Sequence, residues 1–136
     1  MQEISVDASI DQIRTVTNFV NDELKALGCS LRVRILIDVA IDELFSNIVR
    51  YAYGTKPGPV TVRVDSQGDP PSVVVTFIDR GFPYDPVSAE FADTTRLPAK
   101  DRPIGRLGVY MVKKSMDDMS YSYRDGQNIL SIRKRI

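Results

Sequence analysis

Hydrophobic positions along the chain follow two periods, and the switches between them mark out the elements. Glu3 to Asp7 alternate, which predicts a short first strand. From Ser9, placed as an N-cap, Ile10, Ile13, Val16, Phe19, Val20, Leu24 and Leu27 trace a helical stripe. Gly28 is positioned to end that helix in a left-handed turn. A longer helical run starts between Leu31 and Ile35 and closes near Gly54. Its apolar residues Ile35, Leu36, Val39, Leu44, Phe45, Ile48, Val49 and Ala52 recur every three or four positions, predicting a buried face. After a turn at 54–59 the period drops to two. Val60, Val62 and Val64 alternate with Thr61, Arg63 and Asp65, the pattern of a half-buried strand.

Residues 67–71 break that strand, and Ser72 to Asp79 is almost continuously apolar, as a central strand should be. The pair predicts an antiparallel hairpin. Arg80 to Pro103 has no convincing period, and a loop of that length in a compact domain points to a lid or binding loop (about 80–104). Short helical turns around Ser88 to Phe91 fit the pattern there. Gly105 to Gly108 then open a helix, Val109 to Met116, with Val109, Val112 and Met116 on one side. Met119 to Arg124 and Asn128 to Lys134 form the last two strands, joined at the turn dipeptide Asp125-Gly126. The expected architecture is an α/β two-layer sandwich: a mainly antiparallel sheet of the last four strands, with three helices on one face. No repeat or linker divides residues 1–136, so one domain is expected.

Composition narrows the chemistry. The 136 residues are 43% hydrophobic and 26% charged, ordinary for a globular protein. Lys plus Arg equal Asp plus Glu at 18 each, so no net field argues for nucleic acid or an anionic membrane as partner. There is no histidine, which excludes Ser-His-Asp and Cys-His catalysis and histidine-ligated metals. The single Cys29 excludes an internal disulfide and a cysteine-built zinc site. No signal peptide or membrane span is read, and the cytoplasm is the expected location.

Three stretches hold candidate chemistry. Glu43 and Asn47 lie four apart, hence side by side on one helix face, with Arg50 and Tyr51 continuing that side. A carboxylate there can take a proton from a hydroxyl, and the amide oxygen can ligate a hard cation; exposed helix positions give the same spacing. Asp79 and Gly81 close the buried strand. The aspartate can accept from an exocyclic amine such as adenine's, and a glycine two residues on lets a planar ring approach; a plain turn uses the same residues. Gly105 and Gly108 precede a helix, whose first turn offers N–H groups and a positive dipole end to phosphate, and Arg96, Lys100 and Arg102 in the lid are cations within reach of polyphosphate.

In this order and spacing the stretches resemble the Bergerat-fold (GHKL) ATPases, and among them the RsbW-like branch of anti-sigma factors with serine/threonine-protein kinase activity. The resemblance runs from the first helix to the last strand. DELFSNIVRYAYG resembles the family's N box, which implies Glu43 as general base and Asn47 as Mg²⁺ ligand. Asp79 and Gly81, followed by GFPYDP, match the adenine-contacting positions. IGRLGVYMVKKSMDD resembles the second glycine box, which implies Gly105, Leu107 and Gly108 at the phosphates; Arg106 within it and Arg102 of the lid are further candidates for binding the cofactor. Arg106 stands where the branch often has glycine, and Tyr51 where many relatives have histidine. Gln127 and Asn128 stand where a threonine often helps bind nucleotide.

The resemblance implies ATP and Mg²⁺ as cofactors and phosphoryl transfer to a serine or threonine of an anti-anti-sigma (STAS-type) protein. It implies a sigma factor as the alternate partner and a homodimer as the assembly, with no direct contact to nucleic acid or membrane. Two other readings stay open on the residues: a partner-switching module that uses nucleotide only as a structural ligand, and a histidine-kinase catalytic fragment.

Overall fold

The computed structural model describes residues 1–87 and 106–136. Within them lie five strands, β1 (Gln2–Asp7), β2 (Pro59–Gln67), β3 (Ser72–Asp79), β4 (Asp118–Arg124) and β5 (Gln127–Arg135). Three α-helices accompany them, α1 (Ile13–Ala26), α2 (Leu31–Tyr51) and α3 (Arg106–Ser115). The sheet order is β1-β2-β3-β5-β4, and every neighbouring pair is antiparallel. The sheet thus has five strands where the sequence places four. β1 joins because Ile4 and Val6 register against Val62 and Val60 and extend the apolar face that the helices cover.

The first helix divides. Ile10–Gln12 is a 3-10 turn, Ser9 makes no side-chain cap bond, and its Oγ turns to Asp11 instead. Ile10 is consequently exposed, whereas Val16, Val20 and Leu24 are fully buried. The other end follows expectation. Gly28 has φ +79°, its N–H donates to Lys25 O, and the Cys29 N–H donates to Leu24 O. That pair of bonds is the Schellman arrangement, and it folds Cys29 inward as a small buried apolar residue. Burial raises the Cys29 thiol pKa, which disfavours a reactive thiolate.

Ser30 caps α2 by accepting from the Val33 N–H at 3.3 Å. The buried stripe of α2 is Val33, Ile37, Ala40, Ile41, Leu44, Phe45 and Ile48. Ile35 and Val39, expected on that stripe, are 53% and 56% exposed. Each lies two residues from Ile37, and two residues turn a helix by about 200°, onto the opposite side. Leu36 and Val49 pack at the margin of the core.

The core fills the layer between helices and sheet. Phe45, Ile37 and Ile41 of α2 meet Val60, Val62, Val73, Val75, Phe77 and Ile132 of the strands, all essentially inaccessible to water. Val109, Val112 and Met116 bring α3 onto the same core. No helix among the described residues is long and apolar enough to cross a membrane.

Two features of this topology set up a site. β5 lies between β3 and β4, so the start of β5 is beside the end of β3, with Asp79 directly opposite Asn128. The C-terminal end of α2 reaches the same corner, where the Phe82 N–H donates to Ala52 O at 2.8 Å.

Candidate functional site

Glu43, Asn47 and Tyr51 occupy successive turns of α2, on the side facing α3 and the segment after β3. Glu43 and Asn47 are half-buried. Asn47 Oδ1 accepts from Arg50 Nη1 at 3.1 Å, and the Arg50 guanidinium lies 5.9 Å from the Tyr51 ring centroid. Tyr51 in turn meets Tyr84, ring centroids 6.3 Å apart.

Helix α3 begins at Arg106, three residues before the expected start, so Leu107 and Gly108 belong to its first turn. Gly108 lies directly against the carboxylate of Glu43, and a Cβ there would overlap it. The absence of a side chain is what leaves room for the Glu43 carboxylate at this point. It also brings Glu43 to a turn whose backbone N–H groups have no acceptor within the helix.

Asp79 is 6% exposed, and its Oδ1 accepts from the Gly81 N–H at 2.8 Å and from Asn128 Nδ2 at 2.9 Å. Gly81 is pressed onto the Ala52 backbone so closely that a Cβ would collide with the carbonyl. The need for glycine here is therefore set by the end of α2. Tyr53 ties the same corner from outside: its hydroxyl donates to Pro59 O at 2.6 Å and accepts from the Arg80 N–H at 2.8 Å. Burial raises the Tyr53 pKa, keeping the phenol in the protonated form that the donated bond requires.

Between these groups a mostly apolar pocket opens. Leu44 and Ile48 of α2 with Ala52 at its C-cap form one wall, and Phe82, Tyr84 and Pro86 form the other. Asp79, Asn128 and Asn47 supply its polar groups. An apolar slot with one buried acceptor suits a flat heteroaromatic ring bearing an N–H donor. A second, more open hollow lies on the far side of Gly81 and Phe82, bordered by Lys56, Arg80 and Tyr123.

The structure therefore sets Asn47 and Asp79 at one pocket, holds Gly81 by its N–H to Asp79, and places Glu43, one turn of α2 from Asn47, against Gly108. Leu107 is on the exposed side of the first turn of α3. Arg102 and Gly105 lie outside the described residues, as do Arg96, Lys100 and the side chain of Arg106. The stretch 88–91, expected to hold helical turns, also lies outside them. Sequence reasoning placed Asn128 at a departure from a family pattern and missed its role, along with those of Tyr121 and Tyr84. The strand register brings Asn128 to Asp79 and Tyr84, partners far off in the chain, and the β4–β5 hairpin brings it to Tyr121.

A family model of the histidine kinase-like ATPase domain matches residues 6–134. The chain belongs to that family. ATP is accordingly the ligand class for which this ATPase domain is built. Among solved structures, the RsbU and RsbW domains of Rv1364c from Mycobacterium tuberculosis superpose with TM-score 0.62 at 19% identity. That match covers 99% of this chain and 32% of the other, so this chain spans about a third of that protein's length. The histidine kinase AdeS of Acinetobacter baumannii matches with TM-score 0.49 at 15% identity, over 99% of this chain and 68% of that one. No curated protein matches the sequence. The first of these likenesses is one of fold, and it agrees with the five-stranded antiparallel sheet and three helices of this histidine kinase-like ATPase domain.

Proposed function

We propose that this ATPase domain is a regulatory serine/threonine-protein kinase that phosphorylates an anti-anti-sigma (STAS-type) partner and alternately sequesters a sigma factor. A second copy of the chain is the proposed assembly partner. One observation carries the reading. On α2, Asn47 lines the Asp79 pocket and Glu43, one turn away, lies against the first turn of α3, which favours contiguous base, phosphate and hydroxyl sites.

In this reading Asp79 accepts from the exocyclic amine of adenine, whose ring lies between Ile48 and Ala52 on one side and Phe82 and Tyr84 on the other. The triphosphate runs toward Gly108, where the first-turn N–H groups and positive end of α3 receive it; Arg106 and Arg102 are the proposed phosphate-binding cations. Glu43 accepts the proton of the attacking serine or threonine hydroxyl. The oxygen–phosphorus bond to the partner forms as the bond to the ADP oxygen breaks, and ADP departs with the electron pair.

The donor set suits Mg²⁺ arriving with the phosphates. No group of three or more acidic, Cys or His residues that could hold a metal is present among the described residues. Mg²⁺ characteristically takes one or two protein oxygens alongside substrate phosphates and water. Asn47 Oδ1 would be the protein oxygen, released from its bond to Arg50. When bound, the ion neutralises charge on the phosphates.

Incubation with γ-labelled ATP and a STAS-type protein carrying an acceptor serine tests the reading. Label should pass to the partner. Glu43→Ala should abolish transfer while ADP still binds, and Asp79→Asn should lose the nucleotide. Full transfer by Glu43→Ala would remove Glu43 as the base. Nucleotide binding with no transfer by the wild type would make the domain a partner-switching binding module.

A further inference from the structure

Asn128 is 5% exposed and stands where the start of β5 passes the end of β3. Its carboxamide is saturated in one orientation. The two Nδ2 hydrogens serve three acceptors: Asp79 Oδ1 at 2.9 Å, Phe82 O at 3.0 Å and, most distantly, Gly81 O at 3.3 Å. Oδ1 accepts from the Tyr84 N–H at 3.3 Å and from the Tyr121 hydroxyl. A flipped amide would set its oxygen against three acceptors and its NH₂ against two donors, so the surroundings allow one direction only.

Two consequences follow for the pocket. With Oδ1 held by Asn128 and the Gly81 N–H, the Asp79 carboxylate is fixed in plane, and Oδ2 is the oxygen those bonds leave for a ligand. The same amide also grips the backbone of Gly81, Phe82 and Tyr84, which carries the pocket's outer wall. Burial raises the Tyr121 pKa, so the phenol keeps the proton it donates to Asn128.

We infer that Asn128, its amide direction locked by Tyr121, is a positioning residue that sets the site's preference for a 6-aminopurine nucleotide over a 6-oxopurine one. It does so by holding Asp79 in the orientation that accepts from the amine and by fixing the facing wall. The inference rests on the reading of this pocket as the base site. A 6-oxopurine turns a carbonyl toward the fixed carboxylate, leaving a buried acceptor without a donor. If Asp79 could swing freely, it would take its donor from water or elsewhere on the ring, and the distinction would fade.

The test is calorimetric titration with ADP and IDP on wild type, Asn128→Ala, Asn128→Thr and Tyr121→Phe. Wild type should favour ADP strongly. Asn128→Ala should reduce the ADP/IDP ratio about tenfold or more, the scale of one hydrogen bond to a charged group. Asn128→Thr keeps one hydroxyl donor beside Asp79 and loses the grip on 81–84. It should restore most of the ratio while binding both nucleotides more weakly. Tyr121→Phe leaves Asn128 in place without its lock, and should lower the ratio by a smaller factor of about three. Should Asn128→Ala not fold, Tyr121→Phe decides. An unchanged ratio in Asn128→Ala, or in Tyr121→Phe where that variant decides, overturns the inference even if affinity drops, because a tie of purely structural value would weaken both ligands alike. If wild type binds neither nucleotide, the base-site reading itself fails and the inference with it.

Discussion

A methyl group on Gly108 would overlap the end of the Glu43 side chain. Glu43 is flexible enough to move aside, and alanine is favoured over glycine within a helix by about 0.5–1 kcal/mol. Gly108→Ala should therefore leave thermal stability unchanged or slightly raised, while displacing the proposed base. A positioned base contributes roughly 10²–10⁴ in rate, so phosphoryl transfer should fall by at least about a hundredfold. Transfer at the wild-type rate in a stable Gly108→Ala protein would detach Glu43 from the chemistry. Residues of this kind differ in how far a sequence discloses them. Glu43 and Asn47 are legible because a helix fixes what lies four residues apart, and Asp79 because it ends an apolar run. Asn128 is not legible. Its bond to Asp79 spans 49 residues and depends on β5 being inserted between β3 and β4, which nothing in the local stretch Asp125 to Asn128 encodes.

At the scale of elements, α2 divides its apolar residues between two fates. Ile41 is fully buried, whereas Ile35 is 53% exposed. Ile41→Ala should cost about 2–5 kcal/mol in denaturant unfolding, the range for truncating a large core side chain. Ile35→Ala should stay within about 0.5 kcal/mol of wild type. Equal costs would mean that the exposed side of α2 is covered in solution. Elements of this chain are read well from period because each strand and helix carries its own pattern, down to the left-handed Gly28. The misplacements have physical causes. Ile35 and Val39 belong to an apolar-rich helix, where several stripes can be drawn and only the sheet beneath selects one. β1 is short and half-polar, so its membership of the sheet is decided by pairing with β2 and not by its own composition.

At the scale of the whole molecule, the pocket is a junction. Its walls come from α2, the end of β3, the start of β5, β4 through Tyr121, and the segment after β3. A ligand seated there contacts elements from both ends of the chain, and it can do so only when the fold is complete. Binding to the native state alone stabilises by about 2.7 kcal/mol when ligand is present at a hundred times its Kd. For a domain of this size that corresponds to an upward shift in Tm of roughly 10 °C. ADP with Mg²⁺ should produce such a shift in scanning calorimetry, and IDP at the same concentration a much smaller one. Asp79→Asn should remove the response to ADP, because the acceptor that reads the amine is gone. Glu43→Ala should keep it, since that carboxylate lies at the α3 end of the site. A flat response to millimolar ADP would show that the junction around Asp79 does not receive nucleotide, and would leave the fold as the family's while removing the basis for its use as a kinase.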